Sequence, residues 1–149
     1  MMRKRQSSSR QAVDSSVHEI VRSVYQELEA RRLPRSCQML SGCCHFLQTR
    51  RTPMLTLGEA LFAARGVRAS GRKKLQPHPD GACPLLGADR RCTIYEHRPF
   101  GCRTHFCKEA GGIYPRGHVQ DLIRRLEELD EKLGGEGPRS LETALADVL

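Results

Sequence analysis

Residues 83–107 read Cys83-Pro-Leu-Leu-Gly-Ala-Asp-Arg-Arg-Cys92-Thr-Ile-Tyr-Glu-His97-Arg-Pro-Phe-Gly-Cys102-Arg-Thr-His105-Phe-Cys107, and this stretch decides what kind of fold the chain can have. Four of the seven cysteines fall inside it, with His97 and His105, and His78 lies just upstream. Tyr95, Phe100 and Phe106 are here too, three of the seven aromatic residues. The apolar run Thr93-Ile94-Tyr95 gives way to Arg98-Pro99, where proline fixes φ and restricts the residue before it. Short apolar pieces broken by turns bury too little surface to make a core alone. The reading is of peptide wrapped around something that binds thiolates.

The rest of the chain supports that reading by what it lacks. At 149 residues a single domain is expected. Leu, Ile, Val and Phe number 32 and Trp is absent, which puts the strong core formers close to the ~20% below which chains tend to disorder. Such a core is thin, and something else is expected to close it. The seven cysteines are the candidate, and their odd number argues against a complete disulfide framework. Met1 to Arg10 is basic and serine-rich with no apolar stretch behind it, so no signal peptide is expected. No run approaches the ~18 apolar residues of a membrane span. The expected setting is a reducing cytoplasm, where clustered cysteines serve metals or catalysis more often than disulfides.

The net charge of +8 is unevenly spread. Arg50, Arg51, Arg65, Arg68, Arg72, Lys73 and Lys74 face one acid, Glu59, across residues 50–74, whereas from Tyr114 onward five basic residues meet eight acidic ones. The basic segment suits phosphates or is a solvated loop.

Helical periodicity frames the cysteines. Residues 1–12 read as a flexible basic tail. Ser16 and Glu19 make a capping-box pattern, and Val17, Ile20, Val21, Val24 and Leu28 then share a face, until Leu33-Pro34 ends the helix. Thr56 and Glu59 announce a second helix with Leu57, Leu61 and Phe62 inward and Gly66 as its stop. A third opens near Pro115 or His118, carries the stripe Val119, Leu122, Ile123, Leu126, Leu129 and Leu133, and closes at Gly134. Residues 134–138 read as a linker, and Ser140 to Leu149 as a short last helix. The expected fold is mainly α: a small, loop-rich, metal-stapled cysteine cluster flanked by helices, with the domain at 13–133 and the linker and C-terminal helix at 134–149. Cys44 and Cys83 are 39 positions apart, so the basic loop either brings two cysteine groups together or leaves two sites.

A thiolate is a soft anionic ligand that suits zinc and the iron of iron–sulfur clusters. Tetrahedral sites take four, or three and a His. The usual Cys-x2-Cys pair is absent, but Cys102-x2-His105 has its spacing and Cys107 is within reach of Cys102. Cys43 and Cys44 are neighbours, and extended backbone points their side chains to opposite faces. They then serve two ions, or one is a ligand and the other a packed thiol. The plainer role of a cysteine as a small buried apolar residue suits an isolated thiol better than seven in two groups. No local sequence presents an activated nucleophile, so a binding protein rather than an enzyme is expected, with no catalytic residue. His18, on the polar side of its helix, and His118, opening one, are not expected as ligands. His105, between two cysteines, is, with His45 a lesser candidate.

These motifs, Cys37-x2-Leu40-x2-Cys43-Cys44, then Cys83-Pro-Leu-Leu, then Arg91-Cys92-Thr-Ile-Tyr-Glu-His-Arg98-Pro99, then Cys102-Arg103 and Cys107, resemble the YkgJ-type cysteine cluster proteins. The resemblance covers residues 37–107, about half the chain, and its most specific part is Cys-x-Ile-Tyr-x-x-Arg-Pro. It implies a zinc- or iron-chelating domain, of a kind also found in flagellin lysine methylases. Carried over residue by residue, it implies Cys37, Cys43, Cys44, Cys83, Cys92, Cys102 and Cys107 as the chelating set. Where the family has its second cysteine this chain has Leu40. Eight ligands fill two tetrahedral sites, and seven need help from His105, His45, Asp80 or water, unless only one full site is kept. Arg98 and Arg103 also match family positions and are expected to stabilise thiolates by charge and hydrogen bonding.

Three functions fit these residues. The leading one is a metal-binding protein whose zinc or iron closes the thin core. The second is an iron–sulfur protein in a redox or methylation system. The third is a zinc-scaffolded nucleic-acid-binding module using the basic loop, although no C2H2 or RNP-like motif is present. The expected partner is a metal ion, without a membrane.

Overall fold

The capping box announced by Thr56 and Glu59 forms, and the helix behind it is the one the rest of the chain packs on. The Glu59 carboxylate accepts hydrogen bonds from the Thr56 N–H (2.9 Å) and Oγ1–H (3.0 Å). The computed structural model describes residues 2–35, 44, 51–106 and 108–149, of which residues 2–9 and 109 as backbone only. In chain order the elements are α1 (Met2–Ala30), β1 (Met54–Leu55), α2 (Leu57–Ala69), a 3-10 turn (Tyr95–His97), α3 (Phe100–Thr104), a second 3-10 turn (Lys108–Ala110), α4 (Arg116–Lys132), β2 (Arg139–Ser140) and α5 (Leu141–Val148). The fold is mainly α, as expected. The two strands form an antiparallel pair with Met54 opposite Ser140 and Leu55 opposite Arg139. Among the described residues, no helix is long and apolar enough to cross a membrane.

Two apolar clusters lie on either side of α2. On one side Phe62 joins Val17, Val21, Val24, Tyr25 and Leu28 of α1 and Val119, Leu122, Leu126 and Leu129 of α4, with Phe100 and Tyr114 and the partly buried Phe106. The stripes of α1 and α4 therefore pack on each other as their periodicity requires. Ion pairs seal the seam: Arg31 grips both Asp121 oxygens at 2.6 Å and Arg125 reaches Glu27 at 2.8 Å. On the other side Ala60, Ala63, Ala64 and Val67 meet Leu141, Ala144 and Leu145 of α5 and Leu85, Leu86 and Ile94 of the cysteine loop. Alanines on that face let backbone approach closely.

Several expectations shift. Helix α1 begins at Met2, so residues 2–12 of the segment 1–12, expected as a flexible tail, are helical. Ser16 and Glu19 lie inside the helix and cap nothing. His18, expected on the polar side, is buried and stacks on Phe62 with ring centroids 4.4 Å apart. Helix α2 does not stop at Gly66 but runs on to Ala69. A Cβ added at Gly66 would stand 2.8 Å from Cβ and Cγ of His97, so the glycine makes room for that ring. Leu57 and Leu61 are only half-buried, and the alanines take the inward face. From the cysteine stretch, Phe100 and Phe106 lie under α1 and α4, whereas Ile94 belongs to the α5 cluster and Tyr95 is 48% exposed. Helix α4 starts after Pro115 and ends where Gly134 takes φ +76°, as the sequence indicates. Helix α5 is part of the core, since Leu141 and Leu145 are buried against Cys83 and its neighbours.

Candidate metal centre

The second cysteine group is built as a tight loop on two leucine anchors. Leu85 and Leu86 are buried. The Leu85 carbonyl accepts hydrogen bonds from the Thr93 N–H (2.8 Å) and Oγ1–H (2.7 Å), and Leu86 bridges antiparallel to Cys92. The turn between them closes where the Gly87 N–H donates to the Arg91 carbonyl at 2.8 Å. This pairing brings Cys83 and Cys92 back beside each other across nine positions of chain. Pro99 then fixes the entry into α3, and its carbonyl receives the Cys102 N–H at 3.1 Å. Cys102 thus sits on the first turn of a short helix, and His105 follows at its end, its N–H bonded to the Gly101 carbonyl at 3.1 Å.

The distant first group is joined to the second through backbone. The Cys83 N–H donates to the Cys44 carbonyl at 2.7 Å. A cavity of about 150 Å³ opens beside this contact, and Cys44, Cys83, Cys92, Cys102 and His105 all line it. Four thiol groups from three separated parts of the chain thus share one space with one imidazole. Cys37, Cys43, Cys107 and His45, and Leu40 at the departing position, lie outside the described residues.

Burial decides the protonation of two of these groups. It pushes the Cys83 thiol up to about 11, with Cys92 adding to the shift and the backbone N–H groups of Leu85 and Leu86 opposing it. Those amides are the donors a thiolate needs once a cation has replaced the proton. Burial also lowers His105 below the ordinary histidine value, with Arg51 acting in the same direction, and so favours the neutral imidazole that ligates metals.

The other histidines are placed elsewhere. His97 faces α1 and α2, 5.0 Å from the Phe62 ring and 6.2 Å from that of His18. His78 Nδ1 accepts the Asp80 N–H, and His118 Nε2 contacts the Arg31 carbonyl. Asp80, a candidate substitute ligand, is exposed and does not line the cavity.

Arg98 and Arg103 engage the backbone of the cysteine loop and two tyrosine rings, and Arg98 also lines the cavity. Arg103 donates to the carbonyls of Arg98 (2.8 Å) and Glu96 (2.7 Å), and its guanidinium lies 4.1 Å from the Tyr25 ring. It staples the 3-10 turn to α3 and to α1. Arg98 donates to the Tyr95 carbonyl and stacks 3.8 Å over the Tyr95 ring. Both arginines shape the loop that carries the cysteines, because Pro99 interrupts the backbone pairing there and leaves carbonyls in need of donors.

Soft thiol donors with one neutral imidazole fit zinc or iron in chemistry. Among the described residues, no three His, Cys, Asp or Glu side chains converge on a point that holds an ion. Sequence reasoning missed Arg51, Arg90 and Arg91 at the cavity. The signal was available in the Asp89-Arg90-Arg91 turn directly before Cys92.

Residues 35–119 match the family model CxxCxxCC, described as "putative zinc- or iron-chelating domain". No curated protein and no solved structure matches the chain.

Proposed function

The chain belongs to the CxxCxxCC family of zinc- or iron-chelating domains, and from that premise we propose that its cysteines form one thiolate centre rather than two separate sites. The observation that carries this is the shared cavity: Cys44 from the first group and Cys83, Cys92 and Cys102 from the second line the same space. The proposed ligands are these four with Cys37, Cys43 and Cys107, and with His105 as the donor that makes up for Leu40. His105 is favoured over the other described histidines because it alone among them lines the cavity. Bound metal, more than one ion for these eight donors, would cross-link segments that the thin core does not hold together, and iron would add redox chemistry. The chain's own residues do the rest: Leu85, Leu86 and Ile94 anchor the loop, Arg103 holds it to α3, and the Cys83 N–H fixes Cys44. The proposed setting is a reducing cytoplasm, which keeps clustered thiols available.

The test is metal analysis and absorption spectroscopy of anaerobically purified protein. Stoichiometric zinc in a colourless sample, or iron with visible absorption, is the expected outcome, and metal-free protein with titratable thiols would count against the proposal. His105→Ala should lower metal content while His18→Ala should not. Leu40→Cys should restore it in the His105→Ala background. Equal metal in both histidine variants removes His105 from the ligand set.

A further inference from the structure

We propose that the mouth of the cysteine cavity binds single-stranded nucleic acid, with Arg90 and Arg91 taking phosphates and Tyr95 taking a base. This goes beyond the chelating reading and does not depend on which metal is held. Arg51, Arg90, Arg91 and Arg98 line the cavity together with Tyr95, and among the described residues no Asp or Glu does, in a chain with 17 acidic residues. Arg90 and Arg91 are exposed, and among the described residues neither guanidinium forms an ion pair. These two stay in water.

Their presentation is fixed in advance. The turn that carries them is held by the Gly87 N–H to the Arg91 carbonyl (2.8 Å), the Arg90 N–H to the Gly87 carbonyl (3.0 Å), and the Arg91 N–H to Asp89 Oδ1 (3.1 Å). Arg90 takes φ +64°, alone among the described non-glycine residues. That region suits glycine or asparagine, and other residues sit there at some strain. An arginine in it is costly for folding and consistent with a use for its side chain. Beside the turn, Tyr95 is 48% exposed and the Arg98 guanidinium backs its ring at 3.8 Å. A backed, exposed aromatic ring next to unpaired cations is the arrangement by which proteins hold single strands: stacking for bases, arginine for phosphates. An acidic peptide would use the arginines but has no need of the ring.

The experiment measures fluorescence anisotropy of labelled oligothymidylate with the metal-loaded full chain across a salt series. Metal content is determined for every variant, so loss of chelation and loss of nucleic-acid binding are read separately. Binding is expected at low salt. Arg90→Ala/Arg91→Ala should weaken it and reduce the slope of log K against log salt by about 1.4, from ~0.7 per phosphate on a single strand. Tyr95→Leu should weaken binding about fivefold or more with the slope unchanged. Arg124→Ala/Lys132→Ala, which removes two exposed cations on α4, should change little. No binding at low salt overturns the proposal, as does equal weakening by the α4 variant. Competition by polyglutamate as strong as by unlabelled oligothymidylate, with Tyr95→Leu silent, overturns it in favour of an acidic protein surface.

Discussion

Replacing Glu59 should cost this protein a large share of its stability, although the residue touches no cysteine. The residue is 3% exposed, and its carboxylate accepts the Thr56 N–H and Oγ1–H, the Phe100 N–H at 2.8 Å and the Tyr25 hydroxyl at 3.4 Å. One side chain therefore caps α2, starts α3 and holds α1. Glu59→Ala leaves the Phe100 and Tyr25 donors without a partner in a dry interior, at ~1–3 kcal/mol each, and removes a cap worth ~1 kcal/mol. The Tyr25 bond is long, so the lower half of its range applies, and removing a buried carboxylate gives some relief. The net is about 3–5 kcal/mol against a typical total of ~5–15 kcal/mol. Glu59→Gln keeps the volume and one acceptor and should lose about 1–2 kcal/mol. Urea unfolding of metal-loaded protein, followed by circular dichroism, should rank wild type above Gln above Ala by midpoint. Because Phe100 opens the helix that carries Cys102, Glu59→Ala should also release metal faster to a chelator. The pH dependence gives a second reading. Burial raises the Glu59 carboxyl above its ordinary value of 4.5, so the folded protein takes up this proton more readily than the unfolded chain. Its ionised form is a penalty above the folded-state value, and that penalty is withdrawn as pH falls toward 4.5. The advantage of wild type over Glu59→Gln should therefore widen as the solution is acidified over that window. Should Glu59→Ala unfold within ~0.5 kcal/mol of wild type, the network does not hold the three helices together and the reasoning fails.

Other perturbations probe the remaining contacts. Gly66→Ala should destabilise by about 1–3 kcal/mol, since the new Cβ would stand 2.8 Å from the His97 ring, whereas Gly117→Ala, with open space around it, should be neutral or stabilising in the same thermal melt. Arg31 holds the Asp121 carboxyl down at about 2 against an ordinary 3.8. That depressed value makes a stabilising contribution present above pH 3.8 and lost as pH falls toward 2, so Arg31→Gln should flatten the acid limb of the stability curve without altering the neutral plateau's shape. Removing metal with chelator and reductant should open the chain to protease first between residues 70 and 92, while helical circular dichroism falls only in part. Structural zinc contributes on the order of 10 kcal/mol in small domains, so an unchanged cleavage map in verified metal-free protein would show that the two apolar clusters stand without it.

Local pattern alone determined much of this protein. The stripe on α4, its glycine stop, the Thr56–Glu59 cap and the final helix all follow from spacings of three and four residues, because a helix forms its bonds and caps within a few positions of chain. The thiol-rich segment, and with it the chelating family, was equally legible, since metal ligands must be soft donors whatever the fold around them. Tertiary structure decided the rest. Nothing near Cys44 indicates that its carbonyl receives the Cys83 N–H, since that pairing depends on how α2 turns the chain. His18 reads as polar by its place on the helical wheel, and is buried because Phe62 offers it a ring to stack on. Arg98 and Arg103 read as partners for thiolates, and the fold also engages them with the carbonyls of Tyr95, Glu96 and Arg98 and with the rings of Tyr95 and Tyr25. Periodicity sees only neighbours in sequence. Which distant groups come to satisfy a buried donor, a vacant carbonyl or an open ring face is settled when the clusters on either side of α2 close.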